Sequence, residues 1–326
     1  MMPYTAKFNF MKLLGIIMMI VPMYVMFTST DKYVWWFSLE INMIGFIFVM
    51  GDMDRESTFF SAIMYFIYQA MFGLIMIWMF MYCDETNDYE NMGTLLILIL
   101  VSKMGMFPAH FMVPVVVEGM SWLGCVFFFS LQKVMPLFML TTLKWTCINH
   151  YLVINMLWGL ILMLHQISLR KFLYFSSMVH MGWLYAAMEI GMIYWMVYLA
   201  AYMLSLLIFL FWQNLDSIDQ FKYSSLTENI KQIISMINMS GLPPFIGFLA
   251  KFFILVKASC SGVFIVLALM LMISVFSAYV YLTYVLIIYF LKREKFNKTY
   301  FSFNLGKSFI LILLSFSTFM LFLMIF

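Results

Sequence analysis

The chain has 326 residues, of which 65% are hydrophobic and only 10% are charged. Such a composition lies outside the range of soluble globular domains, so it excludes a soluble enzyme or nucleotide-binding domain as the body of the chain. The net charge of +3 provides no basic surface for a nucleic acid partner. The four cysteines are scattered without a CxxC pair and no histidines have metal-ligand spacing, so we expect no disulfide framework, iron–sulfur cluster or metal site.

Apolar stretches long enough to cross a bilayer, which takes about 20 residues, recur along the whole chain. They predict an all-α polytopic membrane protein with about eleven transmembrane helices in a single transmembrane domain over 1–326. The N-terminus runs directly into the first span, so we expect no cleavable targeting segment. The predicted spans are 8–28, 33–50, 57–82, 92–117, 119–143, 150–166, 171–189, 191–213, 229–256, 261–291 and 306–326.

The distribution of basic residues between the two sides of the membrane supports this topology. With eleven spans, the side that holds the N-terminus carries twelve of the 18 lysine and arginine residues, and the other side carries only Lys32, Lys144 and Lys257 with the acidic loop 83–91. Because short loops rich in Lys and Arg stay inside, we expect the N-terminus inside and the C-terminus outside. The twelve are Lys7, Lys12, Arg55, Arg170, Lys171, Lys222, Lys231, Lys292, Arg293, Lys295, Lys298 and Lys307.

Two spans are interrupted by proline and glycine. The fourth contains VSKMGMFPAHFMVP with Pro108, and the ninth contains SGLPPFIGFLAK with Gly241, Pro243 and Pro244. If spans one to five (about 8–143) and six to ten (about 150–291) are repeats, each break falls in the fourth helix of its repeat, and the two copies are inverted. The last span, about 306–326, lies outside both copies. Paired broken helices in an inverted repeat indicate an ion path near the membrane midplane, although a proline can also kink a helix only for packing.

Four charged residues fall inside predicted spans: Glu40, Lys103, Lys133 and Lys251. A charge at the bilayer centre costs roughly 2.5–3.5 kcal/mol on insertion scales, so each of them demands a reason. A buried charge whose cost is offset by a mobile neighbour can gain and lose a proton, which predicts a proton relay. The alternatives are lysines that snorkel at span ends and a glutamate that pairs for packing.

Two of the four histidines are further candidates for this path. His180 shares a helical face with Ser176 at i−4, and His110 follows the break at Pro108. Either can equally be a histidine satisfied by an interhelical hydrogen bond. His150 and His165 lie near span ends and are interpreted as interfacial.

Five stretches together resemble a known family of membrane proteins, the subunit 2 family of mitochondrial NADH dehydrogenase. They are LEIN (39–42), SKMGMFPAHF (102–111), WLGCVFFFSLQKVMPL (122–137), SLRKFLYFSSMVHMGW (168–183) and SGLPPFIGFLAK (240–251). Its members are antiporter-like membrane-arm subunits of respiratory complex I. GLPPF with its following lysine marks only the wider antiporter-like superfamily, whereas LEIN and SLRK indicate subunit 2.

The resemblance implies that Glu40, Lys103, Lys133 and Lys251 are proton-channel residues and that His180 lies on the connecting hydrophilic axis. It implies a mitochondrial inner-membrane protein with its N-terminus in the matrix and its C-terminus in the intermembrane space. It also implies that the chain binds no cofactor, and that NADH, FMN, iron–sulfur clusters and ubiquinone belong to other subunits. The implied partners are other membrane-arm subunits of complex I, including neighbouring antiporter-like ones, and membrane lipids.

Two other functions fit the same features. One is a subunit of a multisubunit cation/proton antiporter, which shares the broken helices and the lysines. The other is a membrane-arm subunit that carries these residues without pumping. LEIN and SLRK favour complex I over the first alternative, and only a measurement separates it from the second.

Overall fold

The computed structural model describes residues 10–50, 56–86, 89–143, 148–166, 168–212, 226–243, 245–258 and 264–292. Every regular element in these ranges is an α-helix, so the predicted all-α class is confirmed. The helices are α1 (Phe10–Thr28), α2 (Lys32–Val49), α3 (Glu56–Thr86), α4 (Tyr89–Lys103), α5 (Val113–Gly119), α6 (Trp122–Phe129), α7 (Leu131–Leu143), α8 (Ile148–Leu164), α9 (Leu169–Ile190), α10 (Met192–Trp212), α11 (Leu226–Ser240), α12 (Ile246–Ala258) and α13 (Phe264–Lys292).

The predicted spans between residues 8 and 291 each coincide with one helix or with two consecutive helices. Within the described residues, five stretches are long and apolar enough to cross a membrane: Phe10–Thr28, Glu56–Tyr82, Trp122–Thr142, Met192–Leu210 and Val266–Leu286. The predicted number of eleven crossings and the repeat architecture remain predictions. The span 306–326 lies outside the described residues.

Both predicted breaks are present, and each contains a glycine in the left-handed region. Gly105, at φ 75°, follows the end of α4, and Gly241, at φ 71°, follows the end of α11. Only glycine adopts this conformation without steric cost, and it commonly ends helices. Pro108 and Pro243 lie in the non-helical segments that follow, whereas Pro244 lies outside the described residues.

The fifth predicted span contains a discontinuity that was not predicted from the sequence. Ser130 separates α6 from α7 with φ −116° and ψ −80°, outside the helical region. The hydroxyl and the backbone N–H of Ser130 both donate to the Val126 carbonyl, at 2.5 and 3.1 Å. Pro136 instead lies within α7, which continues through it.

The chain divides into two compact units, and the first comprises Met1–Met203. In it α1 packs along α2, with Gly15 and Gly45 at the contact, since a Cβ added to Gly15 would lie 2.7 Å from the Gly45 carbonyl oxygen. Small residues at such contacts let two helices in a membrane approach closely. The most buried helix is α9, which packs against α5, α6, α7 and α8.

The second unit comprises Leu204–Phe326, and its described helices include α11, α12 and α13. The helix α11 packs against both α12 and α13. Gly247, in the first turn of α12, lies close to α11, because a Cβ there would be 2.8 Å from the Asn238 carbonyl oxygen. The two halves of the predicted ninth span are therefore folded against each other around the break.

Large apolar side chains cover the outside of several helices. Phe10 and Tyr24 of α1 are 74% and 71% exposed, and Ile193 of α10 is 76% exposed. Scattered exposed apolar residues are normal, but whole apolar helix faces are not stable in water. These faces fit the hydrocarbon of a bilayer or the surface of a neighbouring membrane protein.

Candidate functional site

Glu40 and Lys103 form an ion pair inside the first unit. The Nζ of Lys103 lies 2.8 Å from Oε1 of Glu40, and the two side chains are only 3% and 18% exposed. The carboxylate comes from the middle of α2, and the ammonium comes from the last residue of α4. Each charge therefore has a counter-charge in an environment where an isolated charge would be costly.

Gly73 of α3 provides the space that the Glu40 carboxylate occupies. A Cβ at Gly73 would collide with Oε1 of Glu40, so a larger residue there displaces the carboxylate. Trp36, one turn before Glu40, donates its indole N–H to the Gly73 carbonyl at 2.9 Å. This hydrogen bond fixes the α3 backbone against α2 at the level of the ion pair.

The break after Lys103 leaves helix carbonyls without their intrahelical partners, and side chains from other helices take them. Gln69 donates to the Lys103 carbonyl at 2.8 Å. Hydroxyl groups of two tyrosines donate to neighbouring carbonyls, Tyr68 to Ser102 and Tyr174 to Gly105. Unpaired backbone groups are expensive in lipid, so these contacts from α3 and α9 make the break tolerable.

Lys133 of α7 is 2% exposed, and its ammonium donates to the hydroxyl of Ser177 at 2.7 Å. Ser177 lies on α9 and donates in turn to the Tyr174 carbonyl at 2.6 Å. Among the described residues, no carboxylate lies within ion-pair distance of Lys133. Lys133 thus differs from Lys103: a hydroxyl, not an anion, faces its ammonium group.

The two candidate histidines have different surroundings. Nδ1 of His180 lies 2.9 Å from the Tyr198 hydroxyl, and the ring packs against Tyr202, both on α10. His110 is 1% exposed, and its Nε2 accepts a hydrogen bond from the Trp158 indole at 2.7 Å. Ser176, which shares a helical face with His180, donates within α9 to the Leu173 carbonyl at 2.7 Å.

Lys251 lies in the second unit, against the break that ends α11. It is 6% exposed, and its Nζ donates to the Ser240 carbonyl at 3.2 Å. Ser240 is the last residue of α11, so this carbonyl has no helical N–H to accept from. Gly241 gives the ammonium room, because a Cβ there would lie 2.7 Å from Nζ of Lys251. At this break Lys251 itself donates to the carbonyl that the end of α11 leaves without a helical partner.

A neutral polar cluster occupies the space between α2, α3 and α7. The Asn42 amide donates to Oε1 of Gln132 at 3.1 Å, and the Tyr65 hydroxyl donates to the same oxygen at 3.3 Å. Sequence reasoning missed all three residues, as it missed Ser177, because uncharged polar residues are common in membrane helices. The available signal was position: Asn42 is two residues from Glu40, and Gln132 precedes Lys133.

Comparisons with known proteins show the family of the chain. The model of the NADH:quinone oxidoreductase/Mrp antiporter transmembrane family matches residues 29–277. NADH-ubiquinone oxidoreductase chain 2 of Anopheles gambiae is 32% identical over 275 residues, which cover 80% of either chain. The corresponding chain of Locusta migratoria is 28% identical over 289 residues, or 84% of either chain.

The fold also matches a solved structure of respiratory complex I from Thermus thermophilus with bound aureothin. The TM-score is 0.70 at 20% identity, and the match covers 86% of this chain and 71% of that one. The chain therefore belongs to the NADH:quinone oxidoreductase/Mrp antiporter transmembrane family. Within that class, the curated relatives named above are NADH-ubiquinone oxidoreductase chain 2, which confirms the resemblance to subunit 2 inferred from LEIN and SLRK.

Proposed function

We propose that this chain is the antiporter-like subunit 2 of proton-pumping NADH:ubiquinone oxidoreductase, and that Glu40, Lys103, Lys133 and Lys251 carry its proton path. His180 and His110 are secondary members of that path. The chain itself supplies no redox centre. NADH, FMN, iron–sulfur clusters and ubiquinone are bound by other subunits, and this chain converts a conformational or electrostatic signal into proton movement.

The observation that carries the proposal is the unequal environment of the buried lysines. Lys103 has a carboxylate 2.8 Å away, whereas Lys133 faces a hydroxyl at 2.7 Å. A protonated Lys133 is therefore an uncompensated charge in apolar surroundings and can easily give up its proton. A change in the Glu40–Lys103 pair alters the field at nearby groups, which links the state of one lysine to that of the next.

The proposal includes the architecture expected from the sequence: about eleven spans with inverted repeats over about 8–143 and 150–291. The breaks at Pro108 and at Gly241–Pro244 then hold the path near the midplane. The protein lies in the mitochondrial inner membrane, with the N-terminus in the matrix and the C-terminus in the intermembrane space. Other membrane-arm subunits, including neighbouring antiporter-like ones, and lipids cover its exposed apolar helices.

The test is Lys133→Ala in the intact complex. The substitution removes a buried, uncompensated charge, so the complex is expected to assemble while proton pumping falls, with NADH oxidation falling too if the two are tightly coupled. Native gels with mass-spectrometric identification report the assembled complex, and dye quenching in sealed vesicles reports pumping. The matched control is Lys257→Ala, which removes an exposed lysine from the last turn of α12.

The result distinguishes the three functions. Normal pumping per electron at normal turnover in Lys133→Ala contradicts a relay role and favours a membrane-arm subunit that does not pump. Recovery of the chain with cation/proton antiporter subunits, and without redox subunits, favours the multisubunit antiporter. Reduced pumping in an assembled redox complex, with Lys257→Ala unaffected, supports the proposal.

A further inference from the structure

We infer that Asn42, Gln132 and Tyr65 form a neutral clamp that keeps Glu40 and Lys133 on separate partners. Their role is to position the charged residues, not to carry protons. The inference rests on the proposed function, because it assigns the clamp a purpose only within a proton path. It is carried by the hydrogen bonds of the cluster and by the helix faces from which they come.

The Gln132 amide has a partner for each of its hydrogen-bonding positions. Its Oε1 accepts from the Asn42 amide at 3.1 Å and from the Tyr65 hydroxyl at 3.3 Å. Its Nε2 donates to the Asn42 carbonyl at 3.5 Å and to Oδ1 of Asn42 at 3.4 Å. A glutamine amide has two acceptor positions and two donor protons, so this set fixes its orientation. A side-chain amide does not ionise near neutral pH, so the contact between α2 and α7 stays uncharged.

The charged residues point away from this contact. Residues two apart on an α-helix face nearly opposite sides, so Asn42 and Glu40 contact different helices. Glu40 meets Lys103 of α4, while Asn42 meets α7. On α7 the next residue, Lys133, turns to Ser177 of α9. Polar contacts thus run from α4 through α2 and α7 to α9, and the step from α2 to α7 is the neutral one.

The clamp prevents an alternative pairing of the charges. Glu40 is the anion nearest in sequence to this contact. If this contact were lost, α2 could rotate and bring Glu40 toward α7, where Lys133 would compete with Lys103 for the carboxylate. Opposite charges attract strongly in a low-dielectric interior, so such a pair would trap the proton on Lys133. The saturated amide cluster holds the register in which only Lys103 has the carboxylate.

The experiment compares Gln132→Leu with the double variant Asn42→Leu/Gln132→Leu in the intact complex. Leucine at 132 alone removes the Gln132 partner of both the Asn42 amide and the Tyr65 hydroxyl. The two leucines replace the Asn42–Gln132 pair with apolar groups, which is often nearly neutral for stability, so that only the Tyr65 hydroxyl loses its partner in the cluster. We expect Gln132→Leu to lower pumping by about tenfold, the change in equilibrium that one buried hydrogen bond of this kind is worth. We expect the double variant to assemble normally and still to pump poorly, because packing is restored but the register is not.

A high-resolution map of the variants supplies the second readout. The expected change is a Lys133 ammonium that has left Ser177 and moved toward Glu40. Gln166→Leu is the matched control, since Gln166 donates only within its own helix end, to Leu162 at 3.2 Å. Should neither leucine variant assemble, Tyr65→Phe decides, because it keeps the ring against Phe46 and removes only the hydroxyl.

Three results would overturn the clamp: native pumping in Gln132→Leu, native pumping in the double variant, or native pumping in Tyr65→Phe when the leucine variants do not assemble. Each of these leaves the proposed function intact as long as Lys133→Ala pumps poorly. Normal pumping in Lys133→Ala instead contradicts the proposed function, whatever the map shows at Gln132.

Discussion

Replacing Gly73 with alanine tests whether the Glu40–Lys103 distance matters, without removing either charge. The added Cβ occupies the position of the Glu40 carboxylate oxygen, so the carboxylate must retreat by on the order of 1 Å to restore normal contact. The α3 backbone cannot yield freely, because Trp36 holds the Gly73 carbonyl at 2.9 Å. The Glu40 carboxylate therefore moves instead, which lengthens the Glu40–Lys103 ion pair.

The magnitude follows from the separation of the two charges. At an effective dielectric constant of about 20, lengthening the contact from 2.8 Å to about 4 Å weakens the attraction by about 2 kcal/mol. That corresponds to roughly a thirtyfold change in the equilibrium between the paired and the separated state. If the pair controls proton transfer, Gly73→Ala is expected to pump poorly while retaining normal amounts of assembled complex.

The assay is proton uptake in sealed vesicles during NADH oxidation, normalised to complex measured on native gels. Gly15→Ala is the matched control, because its Cβ would meet the Gly45 backbone and not a charged group. We expect it to lower the amount of complex while each assembled complex pumps normally. Native pumping by an assembled Gly73→Ala complex, with a map that shows the ion pair lengthened, would refute the link between this distance and function.

Three further predictions concern the second break and the topology. Gly241→Ala places a residue with a Cβ at φ 71°, and that Cβ lies against Nζ of Lys251. The substitution is expected to cost roughly 1–2 kcal/mol of local stability. It is also expected to impair pumping in the same vesicle assay. Replacing Pro243 and Pro244 with alanine favours a continuous helix, since each proline costs about 3 kcal/mol in a helix interior. The complex should then assemble normally but pump poorly. Native pumping by the double variant would show that the prolines serve packing only. Labelling of sealed inner-membrane vesicles should place the acidic segment 83–91, where α3 ends and α4 begins, and the N-terminus on opposite sides. Labelling on one side would contradict the eleven-span topology.

The sequence predicted the features that depend on strong local signals. Charges inside apolar stretches identified Glu40 and the three buried lysines, and glycine next to proline identified the two breaks, because both patterns are costly unless tertiary structure compensates for them. It also placed each break in the fourth helix of its repeat, and that symmetry remains a prediction. The two breaks have different hydrogen-bond partners, because side chains of α3 and α9 donate to the carbonyls around Lys103, whereas Lys251 donates to the Ser240 carbonyl at its own break.

The sequence failed where the answer depended on which way a helix face turns. Helical spacing singled out Ser176 because it shares a face with His180, but nothing in the sequence indicated that Ser177, about 100° further around α9, contacts Lys133. Likewise, the backbone departs from the helix at Ser130 without having been predicted to, and α7 continues through Pro136. A serine or a proline does not by itself indicate which helix it will contact, so these contacts depend on packing alone.

The near-complete burial of α9 has a consequence for membrane insertion. Among the described helices, α9 is not one of those apolar and long enough to cross a membrane alone, and it carries Ser177 and His180 on faces that other helices cover. A newly made α9 would expose these groups to lipid until its neighbours arrive. Gly159 of α8 lies against Met178, and the short connection makes α8 and α9 a helical hairpin that can enter the bilayer together. Substitutions in that hairpin are therefore expected to act during biogenesis, by changing how much chain is inserted and escapes degradation, before any proton is moved.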